Sequence, residues 1–260
     1  MLSLIIPTKD SKSQRYKNCA EVVSEGIISQ PFRLCPVVSS GDDFRFSKSV
    51  NIGLRENLDS EYFLILNDDC YPDPGAVESM ISTFKKTPKS GVVGANIRSP
   101  SGEIDHLGGI FSLTTLSGMK NAFRRREYVW ALKMPIIHLI RRLLEGPRKT
   151  IEAFHIDSLD DKRKIDFVTG ACFLISRETI ERVGFFDEEF EFRAEDADYC
   201  MRAAMSGLEV ILDHGATAMH EVGASGFDNG KVRRSRRHLR SKYNTRKIRK
   251  IRSQRDKPSI

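Results

Sequence analysis

The chain has 260 residues, 40% hydrophobic and 30% charged, with a formal net charge of +7 at pH 7. That length holds one large domain, or one domain with an appendage, and the composition is ordinary for a soluble globular protein. No run of about 18 apolar residues occurs, so no transmembrane helix is predicted. Five cysteines without a CxxC pair argue against a disulfide framework or a zinc knuckle and set a reducing cytosol as the default.

The first third alternates strand-like and helix-like segments, the pattern of an α/β domain. The opening apolar run is too short for a signal-peptide core and lacks a basic flank, so residues 2–6 read as a buried strand. A helix is expected over 16–29, with Ala20, Val23 and Ile27 at helical spacing. A strand over 32–38 and a helix over 47–58 follow, then a third strand over 62–66. Residues 74–86 read as a helix with Pro74 near its start, where the missing N–H costs little. Val92 begins a fourth strand.

Residues 99–118 are rich in Gly, Ser and Thr, as in hairpins. The segment 120–149 is basic and apolar by turns and reads as an insertion with one helix, started or interrupted by Pro135. Regular character returns with a strand over 165–175 and a helix over 177–183. A further helix over 195–205 begins with carboxylates and is stopped by Gly207. No repeat of 20–50 residues is visible. Cys70, Cys172 and Cys200 lie in or beside apolar segments, where Cys acts as a small hydrophobe.

The third strand ends abruptly at Asn67-Asp68-Asp69. In open α/β sheets ligands gather at the carboxyl ends of strands, and acids there can hold a divalent cation that in turn holds a pyrophosphate. The same residues, ahead of Tyr71-Pro72-Asp73-Pro74-Gly75, could equally form a polar turn. Two later motifs shift the balance. Glu195-Asp196-Ala197-Asp198 sits at a helix start, where acids also complement the helix dipole. Met219-His220-Glu221 supplies an imidazole, which taken alone is more often a plain surface or core residue.

In order and context, these segments resemble the inverting glycosyltransferase family 2, with rhamnosyltransferase-like or galactofuranosyltransferase-like members. The resemblance covers nearly all of positions 1–230. Leu4-Ile5-Ile6-Pro7-Thr8 resembles the family's opening strand, and Asn67-Asp68-Asp69 with Pro72-Asp73-Pro74-Gly75 resembles its metal-binding DxD-type motif. The stretch from Asp166 to Arg177, with Val183-Gly184-Phe185-Phe186-Asp187, resembles the segment leading to the acceptor site. Glu195-Asp196-x-Asp198 resembles the ED motif, and His220-x-x-Gly223-Ala224-Ser225 the late His motif.

The resemblance implies a GT-A fold, with a Rossmann-like, mainly parallel central sheet flanked by helices. It also implies Asp196 as catalytic base and Asp69 with His220 at a Mn²⁺ or Mg²⁺ ion. Nucleotide and donor contacts fall to Pro7, Thr8, Asp10, Asp42, Asp43, Asn51, Asn67 and Asp68. Thr169, Gly170, Glu195 and Asp198 are expected near the acceptor or the donor sugar. Two departures stand out: Asn67 replaces an acid of the DxD, and Ser39-Ser40-Gly41-Asp42-Asp43 follows the second strand where members often carry a base-reading Asp.

The expected substrates are a UDP-, dTDP- or GDP-sugar and a hydroxyl of a glycan or lipid-linked acceptor. A nucleotidyltransferase is the competing enzyme reading, but Pro7-Thr8-Lys9-Asp10-Ser11-Lys12 lacks the glycines of a phosphate loop. A catalytically silent nucleotide-sugar-binding module, recruited through a basic tail, is the non-enzymatic alternative. Residues 231–260 carry 14 Lys and Arg against one acid, Asp256, a net of +13 beside −6 for positions 1–230. The expected organisation is therefore a glycosyltransferase domain over 1–230, with an insertion at about 115–164 near the acceptor site, and a basic C-terminal tail that is part amphipathic helix. Such a tail fits a solvated end or an anionic membrane surface on the cytosolic side. Arg233 or Arg236 could also close over the diphosphate. With no RNA-binding motif of interleaved aromatics, nucleic acid ranks last.

Overall fold

The structure, a computed structural model, describes residues 1–25, 28–39, 44–102, 165–221 and 228–243, the backbone of 109–113 and 151–155, and positions 247, 250, 251 and 253. Asp42 and Asp43, and most of the expected insertion, lie outside the described residues.

Seven strands form one mixed sheet in the order β2-β1-β3-β8-β5-β9-β4. They are β1 (Leu2–Thr8), β2 (Phe32–Val38), β3 (Tyr62–Leu66), β4 (Cys70–Pro72), β5 (Ser90–Arg98), β8 (Cys172–Ser176) and β9 (Glu209–His220). Five run parallel to one another, while β8 and β4 are antiparallel to their neighbours. Between β5 and β8 in the chain, β6 (Gly109–Leu113) and β7 (Ile151–His155) pair as a separate antiparallel ribbon.

Period-two alternation in the central strands divides the interior between two faces. Leu4, Ile6, Leu64 and Leu66 pack with Tyr16, Cys19 and Val23 of α1 (Gln14–Ser24) and with Val77 and Met80 of α3 (Ala76–Lys86). Ile5, Phe63 and Ile65 face the other way, onto Val50 and Leu54 of α2 (Phe46–Glu56) and onto three later helices. These are α4 (Arg177–Val183), α5 (Glu195–Met205) and α6 (Asn229–Lys242). A sheet buried on both faces explains why its strands read as continuous apolar runs.

Several expected boundaries move, each for a local reason. Helix α1 starts where the Ser13 side chain accepts from the Tyr16 N–H, and it ends at Ser24 rather than at 29. Helix α3 begins at Ala76, not at 74, because Gly75 takes a left-handed conformation (φ 82°) as its N-cap. The strand expected over 165–175 is confined to Cys172–Ser176. Ile165, Phe167 and Val168 before it are buried without belonging to a strand, so their apolar character reports burial alone.

The basic C-terminal segment is also reassigned in part. Val232, Leu239 and Tyr243 are buried, and Leu239 and Tyr243 join the core cluster of α5. Burying three such side chains contributes on the order of 5 kcal/mol, enough to hold a strongly basic helix against the domain. The packed unit therefore runs through Tyr243, past the boundary expected at residue 230.

Candidate active site

The carboxyl ends of β1 and β3 and the end of β9 converge on one edge of the sheet. Leu66 at the end of β3 pairs with Cys172, and the Asn67 N–H donates to the Ala171 carbonyl at 2.9 Å. The chain then turns tightly, with the Cys70 N–H on the Asn67 carbonyl at 3.1 Å, and enters β4. There Cys70 stands opposite His220 in the antiparallel pair with β9. Register thus brings together residues about 150 positions apart. His220 Nε2 lies 3.0 Å from Asp69 Oδ1 and 3.4 Å from Asn67 Nδ2, and the Glu221 N–H donates to the Asp69 carbonyl at 3.0 Å.

Asp68 is held from the neighbouring strand. The Thr8 hydroxyl donates to Asp68 Oδ2 at 2.6 Å, while Thr8 Oγ1 accepts from the Asp10 N–H at 3.2 Å. Burial and the charge of Asp69 raise the Asp68 pKa, with the Thr8 hydrogen bond acting in the opposite direction. Pro7 is buried in β1, whereas Asp10 is exposed and accepts from the Lys12 N–H at 2.8 Å.

Asp196 enters from the first turn of α5. Its Oδ2 accepts from the Gly170 N–H at 2.8 Å and its Oδ1 from the Ala197 N–H at 2.7 Å. A Cβ on Gly170 would stand 3.2 Å from the Asp196 Cβ and 3.3 Å from its Oδ2, so a larger residue there would push on the Asp196 side chain. Thr169 beside it is half-buried. Because Ala171 meets Asn67 and Gly170 meets Asp196, two adjacent residues tie the strand-end acids to the helix-borne acid.

Burial raises the pKa of both Glu195 and Asp196, and the Asp196 charge pushes Glu195 further. Backbone N–H groups on both oxygens favour ionised Asp196. Glu195 Oε2 is buried without a hydrogen-bond partner, an arrangement that favours its neutral acid form. The two carboxyls thus sit in unlike settings, Asp196 with N–H donors on both oxygens and Glu195 with one oxygen unpartnered.

Two expected site residues are placed elsewhere. Asn51 is buried in α2, where its amide donates to the Phe186 carbonyl (2.9 Å) and Glu188 Oε1 (2.7 Å) and accepts from the Phe186 N–H (2.8 Å). Both of its donors are thereby used, and it braces the 186–188 turn rather than a nucleotide. Asp198 is fully buried, taking bonds from Arg202 (2.8 Å), the Tyr243 hydroxyl (2.8 Å) and Lys242 (2.6 Å). It fastens α5 to α6, and both of its oxygens are taken up by those contacts.

Sequence reasoning passed over Arg193. This exposed residue (φ 65°) and Ala194 (φ 74°) both have left-handed backbone immediately before the acid pair. Nothing in the residue types announces that geometry, since glycine is the usual occupant. The positive charge of Arg193 opposes the upward shifts of Glu195 and Asp196. A cavity of about 400 Å³ lined by Glu61, Phe84, Ser90 and Arg177 lies at the opposite end of β3, away from all these groups.

Among the described residues no group of three His, Cys, Asp or Glu side chains could hold a metal. Asp69 and His220 nonetheless suit a shared cation. Their 3.0 Å separation equals the edge of an octahedron with bonds of about 2.1 Å. Mg²⁺-type sites commonly take only one or two protein ligands, the rest coming from phosphate and water.

A curled mixed sheet flanked by helices, with acids gathered at its strand ends, is the GT-A architecture of glycosyltransferases. Residues 45–244 match the model of the family described as glycosyltransferase like family 2, and the chain belongs to that family. It is 26% identical over 178 residues to the O-antigen biosynthesis protein RfbC of Myxococcus xanthus, covering 68% of this chain and 12% of that protein. It is 24% identical over 177 residues to the N-acetylglucosaminyl-diphospho-decaprenol L-rhamnosyltransferase of Mycobacterium tuberculosis, covering 65% of this chain and 50% of that one. The chain therefore spans half or less of the length of these relatives. The solved structure of GalNAc-T7 with UDP, GalNAc and Mn²⁺ superposes with a TM-score of 0.54 at 10% identity, over 85% of this chain and 44% of that one.

Proposed function

We propose that the protein transfers a sugar from a nucleoside-diphosphate sugar to a hydroxyl of a glycan or lipid-linked acceptor, inverting the anomeric carbon, in polysaccharide biosynthesis. One observation carries this reading. The Asp69–His220 pair and Asp196 are linked through the Asn67–Ala171 and Gly170–Asp196 hydrogen bonds, which supports a cation and a base working beside one another.

In this reading Asp69 and His220 hold Mn²⁺ or Mg²⁺, and the imidazole favours Mn²⁺. A cation held by these two side chains would supply the positive charge that a departing nucleoside diphosphate requires. Asp196, fixed by two N–H donors and with lone pairs to spare, takes the proton of the acceptor hydroxyl as that oxygen attacks. Desolvation raises its basicity above that of an ordinary carboxylate, the direction a general base needs. Thr8 orients Asp68, and Asn67 faces the same corner without adding charge. A single displacement requires no protein nucleophile.

The mycobacterial relative is named for a diphospho-decaprenol acceptor, which supports a lipid-linked acceptor here. The named UDP and Mn²⁺ of the GalNAc-T7 structure support a nucleoside diphosphate and a divalent ion. A thermal-shift screen of UDP-, dTDP- and GDP-sugars with and without Mn²⁺ tests the donor half. One of them should stabilise the protein by about 2.7 kcal/mol at a hundredfold excess over its dissociation constant, and only with the metal. No shift with any of the three would overturn the reading.

A further inference from the structure

Helix α6 has two unlike sides. Some of its cations are matched by acids: exposed Arg234 forks onto Glu191 (2.6 and 2.8 Å), while half-buried His238 and Lys242 meet Asp187 (2.9 and 2.6 Å). Its apolar residues Val232 and Leu239 point inward. The outer side carries Arg233, Arg236, Arg237 and Arg240, all exposed. Among the described residues, Arg236, Arg237 and Arg240 have no acidic partner within ion-pair distance. Arg236 and Arg240 stand one turn apart on this side.

A helix whose apolar side is spent on its own domain has only charge to offer outward. It can bind an anionic surface but has no apolar face to insert. The outer row contains no aromatic side chain, which disfavours the base stacking that single-stranded nucleic acid uses. The helix is about 21 Å long and its arginine row from 233 to 240 spans about 10 Å of it, a linear array of cations suited to a plane of phosphate headgroups. Position points the same way. The Ser235 hydroxyl oxygen accepts from the Glu191 and Phe192 N–H groups (both 3.0 Å), fastening α6 to the loop that leads into Glu195 and Asp196.

We propose that the outer face of α6 is an electrostatic docking surface for an anionic lipid bilayer, setting the acceptor side of the cleft at headgroup level. The positional part of this argument rests on the lipid-linked acceptor proposed above; the charge argument stands without it.

The experiment is co-sedimentation of the full chain with phosphatidylcholine vesicles, with and without phosphatidylglycerol. Binding is expected only to the anionic vesicles and should be lost at about 1 M salt, where the screening length is about 3 Å. The double variant R236Q/R240Q should weaken vesicle binding about thirtyfold, since each basic residue near anionic lipid contributes about fivefold. Its melting curve should match the parent; if it unfolds, R233Q/R237Q reports on the same face with the same expected loss. Equal binding to neutral vesicles, no binding to anionic ones, undiminished binding by a folded double variant, or tighter binding to RNA than to vesicles would each overturn the proposal. No donor or turnover enters the measurement, so its failure leaves the transfer reading intact, and a failed donor screen leaves the docking result intact.

Discussion

The two acidic centres of the cleft are built by opposite means. Asp69 and His220 flank a hydrogen-bonded strand pair, and register alone aims them at each other. Asp196 sits on a helix reached through two left-handed, non-glycine residues, each costing about 1–2 kcal/mol. Such a conformation persists only where its surroundings over-determine it. Here those surroundings include α6, through Ser235 on the 191–192 backbone and through His238 and Lys242 on Asp187. The strand-end pair is set by sheet register, whereas the helix-borne acid is held from a distance by the C-terminal helix.

The sharpest way to separate the two sides is to disable the base. Asp196→Asn should cost about 10²–10⁴ in turnover, measured with saturating donor. Because burial raises the Asp196 pKa and the base must be ionised, wild-type turnover should fall with acid above the ordinary carboxylate range of about 4. A profile flat to pH 4 would remove Asp196 from its role.

Loosening α6 comes next. Lys242→Met takes a cation from Asp187 and from the fully buried Asp198, and should destabilise the fold by about 2–3 kcal/mol in a denaturant titration. Burial acts to raise the Asp187 pKa, but His238, Lys242 and the Glu189 N–H outweigh it and hold the carboxyl well below its usual range. A depressed acid stabilises above its unfolded pKa of about 4 and loses that contribution as pH falls further. Acid unfolding of Asp187→Asn should therefore lack this component of the wild-type curve. A smaller effect is expected at Gly170→Ala, where the new Cβ crowds the Asp196 carboxylate. Turnover should drop about tenfold with donor affinity kept, and equal losses in both would place Gly170 on the donor side instead.

The same contrast governs what the sequence could reveal. Apolar runs that stop at acids mark strand ends, so β1, β3 and the Asp68–Asp69 corner are legible from residue order. Strand β9 is not, because Asp213, His214 and Gly215 interrupt it where its register with β5 shifts between Ala95 and Asn96. Three-residue β4 ends in Pro72, whose missing amide makes it a poor strand signal. Asp198 shares the acidic run with Asp196, yet two helical steps of about 100° each turn it to the opposite face of α5, toward Tyr243. Composition marked α6 as a tail, while its inward residues Val232, Leu239 and Tyr243 recur at helical spacing and make it part of the domain.

The most direct test is calorimetric titration of the nucleoside diphosphate found by the donor screen, with Mn²⁺ present, into wild type, Asp69→Ala and Asp196→Asn. Wild type and Asp196→Asn should bind alike, and Asp69→Ala should lose its metal-dependent affinity by at least about a hundredfold. Undiminished metal-dependent binding by Asp69→Ala would contradict a donor site built on the strand-end pair.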